Sequence, residues 1–403
     1  MKKIGILQNT IQEYGWGSRT VIAELLGKPS PSESPQAELW MGTHPKAPSL
    51  VQVDGRFVSL ADVIAKNPED VLGKTAIGRF GNRLPYLFKV LAAAQPLSIQ
   101  AHPNKAQAKA GFAREERAGI PPDSPERNYR DADHKPECLC ALTPFRALKG
   151  FRKVKDLAAR MQTCCSKNLS VELKEIERSY DSQGLKRFFE SLLTLSFDRR
   201  EKTVQEALNA AQEGRVDSES CEWMQKLHHY YPDDIGVLAP LFLNLVCLEP
   251  GQAMFLPAGQ MHSYLEGAGI ELMANSDNVL RGGLTPKHVD IPELMNILDF
   301  RERPVSILAP VKKNEFEVVY ESSDEEFVLS VICTPRGGVY RSRGKRSAEI
   351  LLCTEGEGRL TDTGSGEQID VRKGMSLLVP AAVPQYSIEG KMTIYKASVP
   401  IRG

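Results

Sequence analysis

Through residues 1 to about 150, short apolar runs alternate with Gly, Pro, Asp and Asn turns, a pattern that predicts β structure. SLVQVDGRFVSL and LPYLFKVLAAAQPLSIQAHP show it most plainly. From about residue 151 the period changes. VKDLAARMQ, VELKEIERSY, LKRFFESLLTL and REKTVQEALNAAQEG place apolar residues at helical spacing with charged opposite faces. This helical stretch runs to about Leu245, closed by YYPDDIGVLAPLFLNL, and β-type sequence resumes with CLEPGQAMFLPAG.

In that resumed region Gly251, Pro257, Gly259 and His262 have the spacing G-x5-P-x-G-x2-H. This is a strand, a tight turn and a histidine opening the next strand. Such a turn fixes where the imidazole points, as a metal ligand requires, and fits a histidine carried into the mouth of a small β-barrel. Near the C-terminus Gly374, Pro380, Ala382 and Gln385 repeat the spacing, with the second glycine become alanine and the histidine glutamine. Residues 311–403 therefore read as a second barrel that has lost its metal and carries no chemistry.

Two earlier segments add donors. In PLSIQAHP, Gln100 and His102 sit two apart, on one face of a strand, with Ile99 and Ala101 on the other. YRDADHKPE gathers Asp131, Asp133, His134, Lys135 and Glu137 within seven positions. Gln100, His102, Glu137 and His262 then make an N/O ligand set suited to zinc or another borderline divalent ion, with room for water or substrate. A closed structural zinc site would favour thiolates. Because these donors lie on both sides of the helices, the helical block at 151–245 is an insertion. Residues 1–150 and 246–310 form one discontinuous metal-binding domain.

Bulk properties narrow the class. At 403 residues the chain is long enough for two or three domains with substantial cores. Equal counts of 51 basic and 51 acidic residues leave no net field to recruit nucleic acid or an anionic membrane. MKKIGILQNT has too short an apolar run for a signal peptide, and no stretch is long and apolar enough to span a bilayer. A cytoplasmic location follows as the expectation. The eight cysteines lack CxxC spacing and read as free, buried thiols, Cys138 and Cys140 lying on a buried strand. Gly356, Gly358, Gly364 and Gly366 read as hairpin glycines, and Arg341, Arg343, Lys345 and Arg346 as a solvated turn.

The segments EYGWGS, AELWMGTHP, SIQAHPNK, ERNYRDADHKPE and HSYLEGAGIELMANSDNVLRGGLTPK together resemble the type I phosphomannose isomerases, zinc enzymes of the cupin superfamily. The resemblance covers nearly the whole chain. The family pattern Y-x-D-x-N-H-K-P-E is met at Tyr129 to Glu137, except that Asp133 stands where asparagine is usual. Ser263 and Gly282 occupy positions that are usually alanine.

The resemblance implies a mainly β fold of two cupin-type jelly-roll barrels plus a helical domain. It makes Gln100, His102, Glu137 and His262 the ligands of one zinc ion, Arg281 the arginine beside the substrate carbonyls, and Lys135 a second active-site cation. Trp16 becomes a candidate pocket wall. It further implies a monomer that interconverts mannose 6-phosphate and fructose 6-phosphate through a cis-enediol.

That reaction needs a base, stabilisation of an enediolate oxygen and a grip on phosphate. Glu271 and His134 rank as near-equal candidates for the base, His134 because an imidazole titrates near working pH, with Asp277 next. Arg281 suits either O1 and O2 or the phosphate. Lys287 and Lys105 are candidate phosphate contacts. Two other readings compete: a sugar-phosphate or metal sensor that kept the ligands without catalysis, and an iron oxygenase. Gln plus two His plus Glu departs from the ligand triad of the latter.

Overall fold

The computed structural model describes residues 1–400, which form two large antiparallel sheets with a helical unit beside them. The first sheet is organised by one long strand, His262–Ala274, which pairs with four others. Its opening residues run against Phe145–Phe151 and its later ones against Tyr86–Ala93 and Glu137–Ala141. The change of partner occurs at Gly267, where φ is 126° and a Cβ would lie 2.7 Å from the Pro144 carbonyl oxygen. A residue with a side chain would meet both a forbidden backbone region and a steric clash there.

Alternation along these strands separates two environments. Phe88, Val90, Cys138, Cys140, Ile270 and Leu272 point outward, into a core shared with Tyr320, Leu329, Ile350, Leu378 and Tyr395 of the second sheet. Lys89, Glu137 and Glu271 stand on the opposite face, which deeper down becomes apolar with Leu91, Leu139, Phe145 and Leu256. The sheet is thus buried on both faces, which is why Cys138 and Cys140 are free, buried thiols.

The helical block is an excursion between adjacent strands. Phe145–Phe151 enters it, Leu243–Leu248 leaves it, and the two pair antiparallel from Phe145↔Leu248 to Leu243↔Phe151. Between them run Val154–Cys165, Ser170–Arg178, Ser182–Leu193, Phe197–Gln212 and Ser218–Tyr230. Their buried faces share one core with Ile99, Ala101, Met261 and Leu280 of the first sheet.

Some expectations change. Residues 1–150 are not wholly β: the helices Leu60–Lys66 and Lys105–Arg117 lie among them. The second of these starts at Asn104, whose side chain and that of Gln107 form a reciprocal cap. The N-terminal strand Gly5–Gln8 pairs with Ser376–Val379, so the start of the chain belongs to the sheet built mainly from its end. Gly356 and Gly358 lie in the strand Glu349–Asp362, an arm of the hairpin it makes with Gln368–Arg372, where it also presses against Tyr386–Ser398, while Gly364 and Gly366 lie in the hairpin's turn. Arg346 is not solvated: it donates to the carbonyl oxygens of Pro380 and Val383 and lies 3.8 Å from Glu349. The internal repeat is structural. The four-residue strands Ala253–Leu256 and Ser376–Val379 each lead through a Pro turn into a 13-residue strand, His262–Ala274 or Tyr386–Ser398.

Candidate active site and metal centre

Three segments meet at the polar end of the first sheet's inner face. The turn after Ala253–Leu256 delivers His262, the end of Ile99–Ala101 delivers His102, and the first residue of Glu137–Ala141 is a ligand candidate itself. Nε2 of His102 lies 3.2 Å from one Glu137 oxygen and Nε2 of His262 lies 3.4 Å from the other. All three residues are at most 1% exposed. Gln100 pairs in register with both His262 and Arg281 and lines the same cleft.

The imidazole tautomers follow from the second nitrogen of each ring. His102 Nδ1 faces the Asn278 carbonyl oxygen at 2.7 Å, and His262 Nδ1 faces that of Gln260 at 3.0 Å. A carbonyl only accepts, so both Nδ1 atoms carry the proton and both Nε2 atoms present lone pairs. Neither Nε2 makes a hydrogen bond within the described residues. Two buried, unpartnered lone pairs beside a buried carboxylate fit a borderline divalent ion. Burial, then the charge of Lys135, lowers the His102 pKa to about 4, keeping it neutral as a ligand must be. Burial alone would raise Glu137, but Lys135 and the two histidines outweigh it and hold the carboxyl well below its ordinary value.

Around this centre lies a hydrogen-bonded ring. The Tyr264 hydroxyl donates to Glu271 at 3.0 Å and is 3.3 Å from Glu137. Lys89 donates to Glu271 at 2.9 Å and is 3.5 Å from Glu38, which accepts from the Trp40 indole at 2.5 Å. Lys135 is 3.3 Å from Glu137. Burial raises the Glu271 carboxyl above its ordinary value against the opposing charge of Lys89. Asp277 is the reverse: burial pushes it up, but hydrogen bonds from His44 at 3.2 Å and Lys46 at 2.8 Å hold it far below the usual range.

The cleft encloses about 460 Å³ and is lined also by Trp16, Arg130, Arg281 and Lys287. Burial, then the charge of Arg130, depresses Arg281; burial, Arg281 and Arg130 depress Lys287. These three cations repel one another, and no salt bridge joins any of them to a carboxylate among the described residues. Such an arrangement is prepared for an anion.

Of the residues singled out in the sequence, Gln100, His102, Glu137, His262, Glu271, Lys135, Asp277, Arg281, Lys287 and Trp16 meet at this cleft. His134 and Lys105 do not. His134 Nε2 turns to Glu326, 3.0 Å away, and Lys105 opens the helix Lys105–Arg117 with its ammonium 3.4 Å from the same oxygen. A helix-opening position projects Lys105 outward, and its side chain is 64% exposed. Arg130 and Asn278 escaped the sequence reading. Arg130 lies next to Asp131 in sequence, and no spacing there marks it for the site. Asn278 reads as a turn cap, yet its side chain bonds Arg130, Asp131 and Asp133 while its carbonyl orients His102.

Residues 4–154 match the family Phosphomannose isomerase type I, catalytic domain; 158–243 its helical insertion domain; and 339–399 Mannose-6-phosphate isomerase, cupin domain. The mannose-6-phosphate isomerase of Salmonella typhimurium is 44% identical over 358 residues, covering 87% of this chain and 88% of that protein. That of Escherichia coli is 41% identical over 391 residues, covering 95% and 96%. The fold is similar to the crystal structure of the Salmonella typhimurium enzyme bound to fructose 6-phosphate and zinc, with TM-score 0.90, 39% identity, and 99% and 100% of the two chains covered.

Proposed function

The chain belongs to the type I phosphomannose isomerase family; its reaction is the zinc-dependent interconversion of mannose 6-phosphate and fructose 6-phosphate, and we propose which residues of the cleft carry it. One observation supports the assignment above the rest. Unpartnered imidazole lone pairs meet a buried carboxylate at one end of the cleft, while unpaired cations gather elsewhere along its wall. The sensor and oxygenase readings give way to this one.

Gln100, His102, Glu137 and His262 hold the zinc. When bound, the ion supplies a Lewis acid for an oxygen at C1 or C2. Arg281, Arg130 and Lys287 receive the sugar phosphate, and their mutual repulsion is relieved when the dianion arrives. Lys135 adds positive charge beside Glu137, where negative charge develops on the substrate oxygens. Glu271 is the base. It takes the proton from C2 of the open-chain aldose and returns it to C1 on the same face of the cis-enediol, while the hydroxyl proton passes from O2 to O1. Its raised pKa brings it nearer to neutral pH than an exposed carboxylate, and Lys89 and Tyr264 fix both of its oxygens. Asp277, held ionised by His44 and Lys46, is a fixed charge at the rim rather than a proton carrier. Trp16 walls the apolar side.

We further propose a monomer acting in the cytoplasm, in three parts. Residues 1–150 with 246–310 carry the site, 151–245 form the helical insertion, and 311–403 supply the second cupin-like unit. Its balanced charge supports a freely diffusing enzyme, and no helix of the described residues is long and apolar enough to cross a membrane. The test is isomerisation of fructose 6-phosphate by purified protein before and after chelation, then with zinc restored. Loss and recovery of turnover are expected; turnover indifferent to chelation would sink the zinc assignment.

A further inference from the structure

Away from the cleft, a second group of side chains repeats the donor chemistry of the first centre. His134 comes from the segment that also carries Lys135 and Glu137. Asp324 and Glu326 come from the connection between the strands Glu317–Tyr320 and Val328–Thr334 of the second sheet. One donor atom from each of the three lies within 4.8 Å of the others, as for His102, Glu137 and His262. Asp324 and Glu326 are each 8% exposed as residues.

The histidine carries the independent sign. His134 Nε2 is buried at the end of a side chain that is 21% exposed, and it faces Glu326 at 3.0 Å as an ion-pair partner outside good hydrogen-bond geometry. Nε2 of His102 and of His262 show the same combination, a buried unpartnered nitrogen 3.2 or 3.4 Å from a carboxylate oxygen. Two buried carboxylates side by side need a shared proton or a cation between them. Lys105 offers one at 3.4 Å from Glu326, on an exposed side chain that is free to move away, and His134 when protonated offers another at 3.0 Å, which a metal ion would replace.

We propose that His134, Asp324 and Glu326 form a second divalent-cation site, taking zinc or a similar borderline ion, with water completing its coordination. One imidazole and two carboxylates give an N/O set without thiolate, weaker than the first centre and in competition with Lys105. The site joins the segment bearing Lys135 and Glu137 to the second sheet. An ion there would hold His134 out of the cleft and tie the catalytic segment to the part of the chain expected to be without chemistry.

The experiment is calorimetric titration of Co2+ or Zn2+ into holoenzyme already carrying its first zinc, with the Co2+ absorption spectrum as a second readout. A second equivalent is expected in the wild type. Glu326→Gln and Asp324→Asn should lose it while keeping the first, and Lys105→Ala should bind it more tightly because the competing ammonium is gone. His262→Ala should lose the first equivalent and keep the second. Saturation of the wild type and of Lys105→Ala at one equivalent in excess metal would overturn the proposal. So would a second equivalent undiminished in Glu326→Gln and Asp324→Asn.

Discussion

A proton on Nδ1 rather than Nε2 is what would let His102 and His262 serve as ligands, and two backbone carbonyls set it. The residues around them sort by charge balance. Arg281 has no carboxylate partner among the described residues, so removing it should cost binding and catalysis but not metal. Arg281→Ala is expected to keep a full zinc content and lose about 100-fold or more in kcat/KM, seen by steady-state kinetics beside metal analysis. Glu271 must be deprotonated to act as base, and burial raises its pKa. The kcat profile should therefore fall as pH drops, with its acid limb above the ordinary glutamate value of about 4.3. Glu271→Gln should remove that limb with most of the turnover; an unchanged limb would assign the base elsewhere. Sequence reasoning singled out Glu271 by its place near His262, but not the raised pKa, because its burial beside Lys89 and Glu38 comes from two other strands.

Among the elements, the turn ahead of His262 does the most for the site. Gly259 has φ 75°, and a Cβ there would lie 2.9 Å from the Ile297 carbonyl oxygen. Gly259→Ala should cost about 1–3 kcal/mol of stability and also weaken zinc, since the strained turn would move the imidazole. Urea unfolding with a zinc titration measures both, and loss of stability without loss of affinity would uncouple turn from ligand. The helical insertion is held by ordinary capping. The Asp217 carboxylate accepts from the Ser220 amide at 2.9 Å and from Arg160 at 2.7 Å, at the start of Ser218–Tyr230. Asp217→Ala should cost about 1 kcal/mol at neutral pH. Burial would raise this carboxyl, but Arg160 and the cap outweigh it and lower it to about 2. A depressed acid stabilises above its unfolded value of about 3.9, and the contribution is lost as pH falls toward 2. Wild type and variant should converge in stability on acidification. These helices were legible because period and caps are local, whereas the helix Lys105–Arg117 was missed because its alanine-rich run has a weak apolar stripe.

Across the whole molecule, zinc on the proposed ligands would tie together segments distant in sequence, near residues 100, 137 and 262, so binding should couple to global stability. Chelation should lower Tm and added zinc restore it, by about 2.7 kcal/mol at a free zinc concentration 100 times Kd. A Tm insensitive to zinc would mean the ligands are held as firmly without it. What the sequence by itself determined is what local spacing controls: strands, helical insertion, Pro-Gly turn, and the identity of the donors carried on them. Only the tertiary structure decided which donors share a space. Glu326 draws His134 and Lys105 out of the cleft, Asn278 clamps Arg130 into its wall, and Gly5–Gln8 crosses to the far sheet. Each of these depends on a partner more than 140 residues away. A period of 2 or 3.6 residues tells a side chain which face to occupy, and the partner it meets there is fixed by long-range packing.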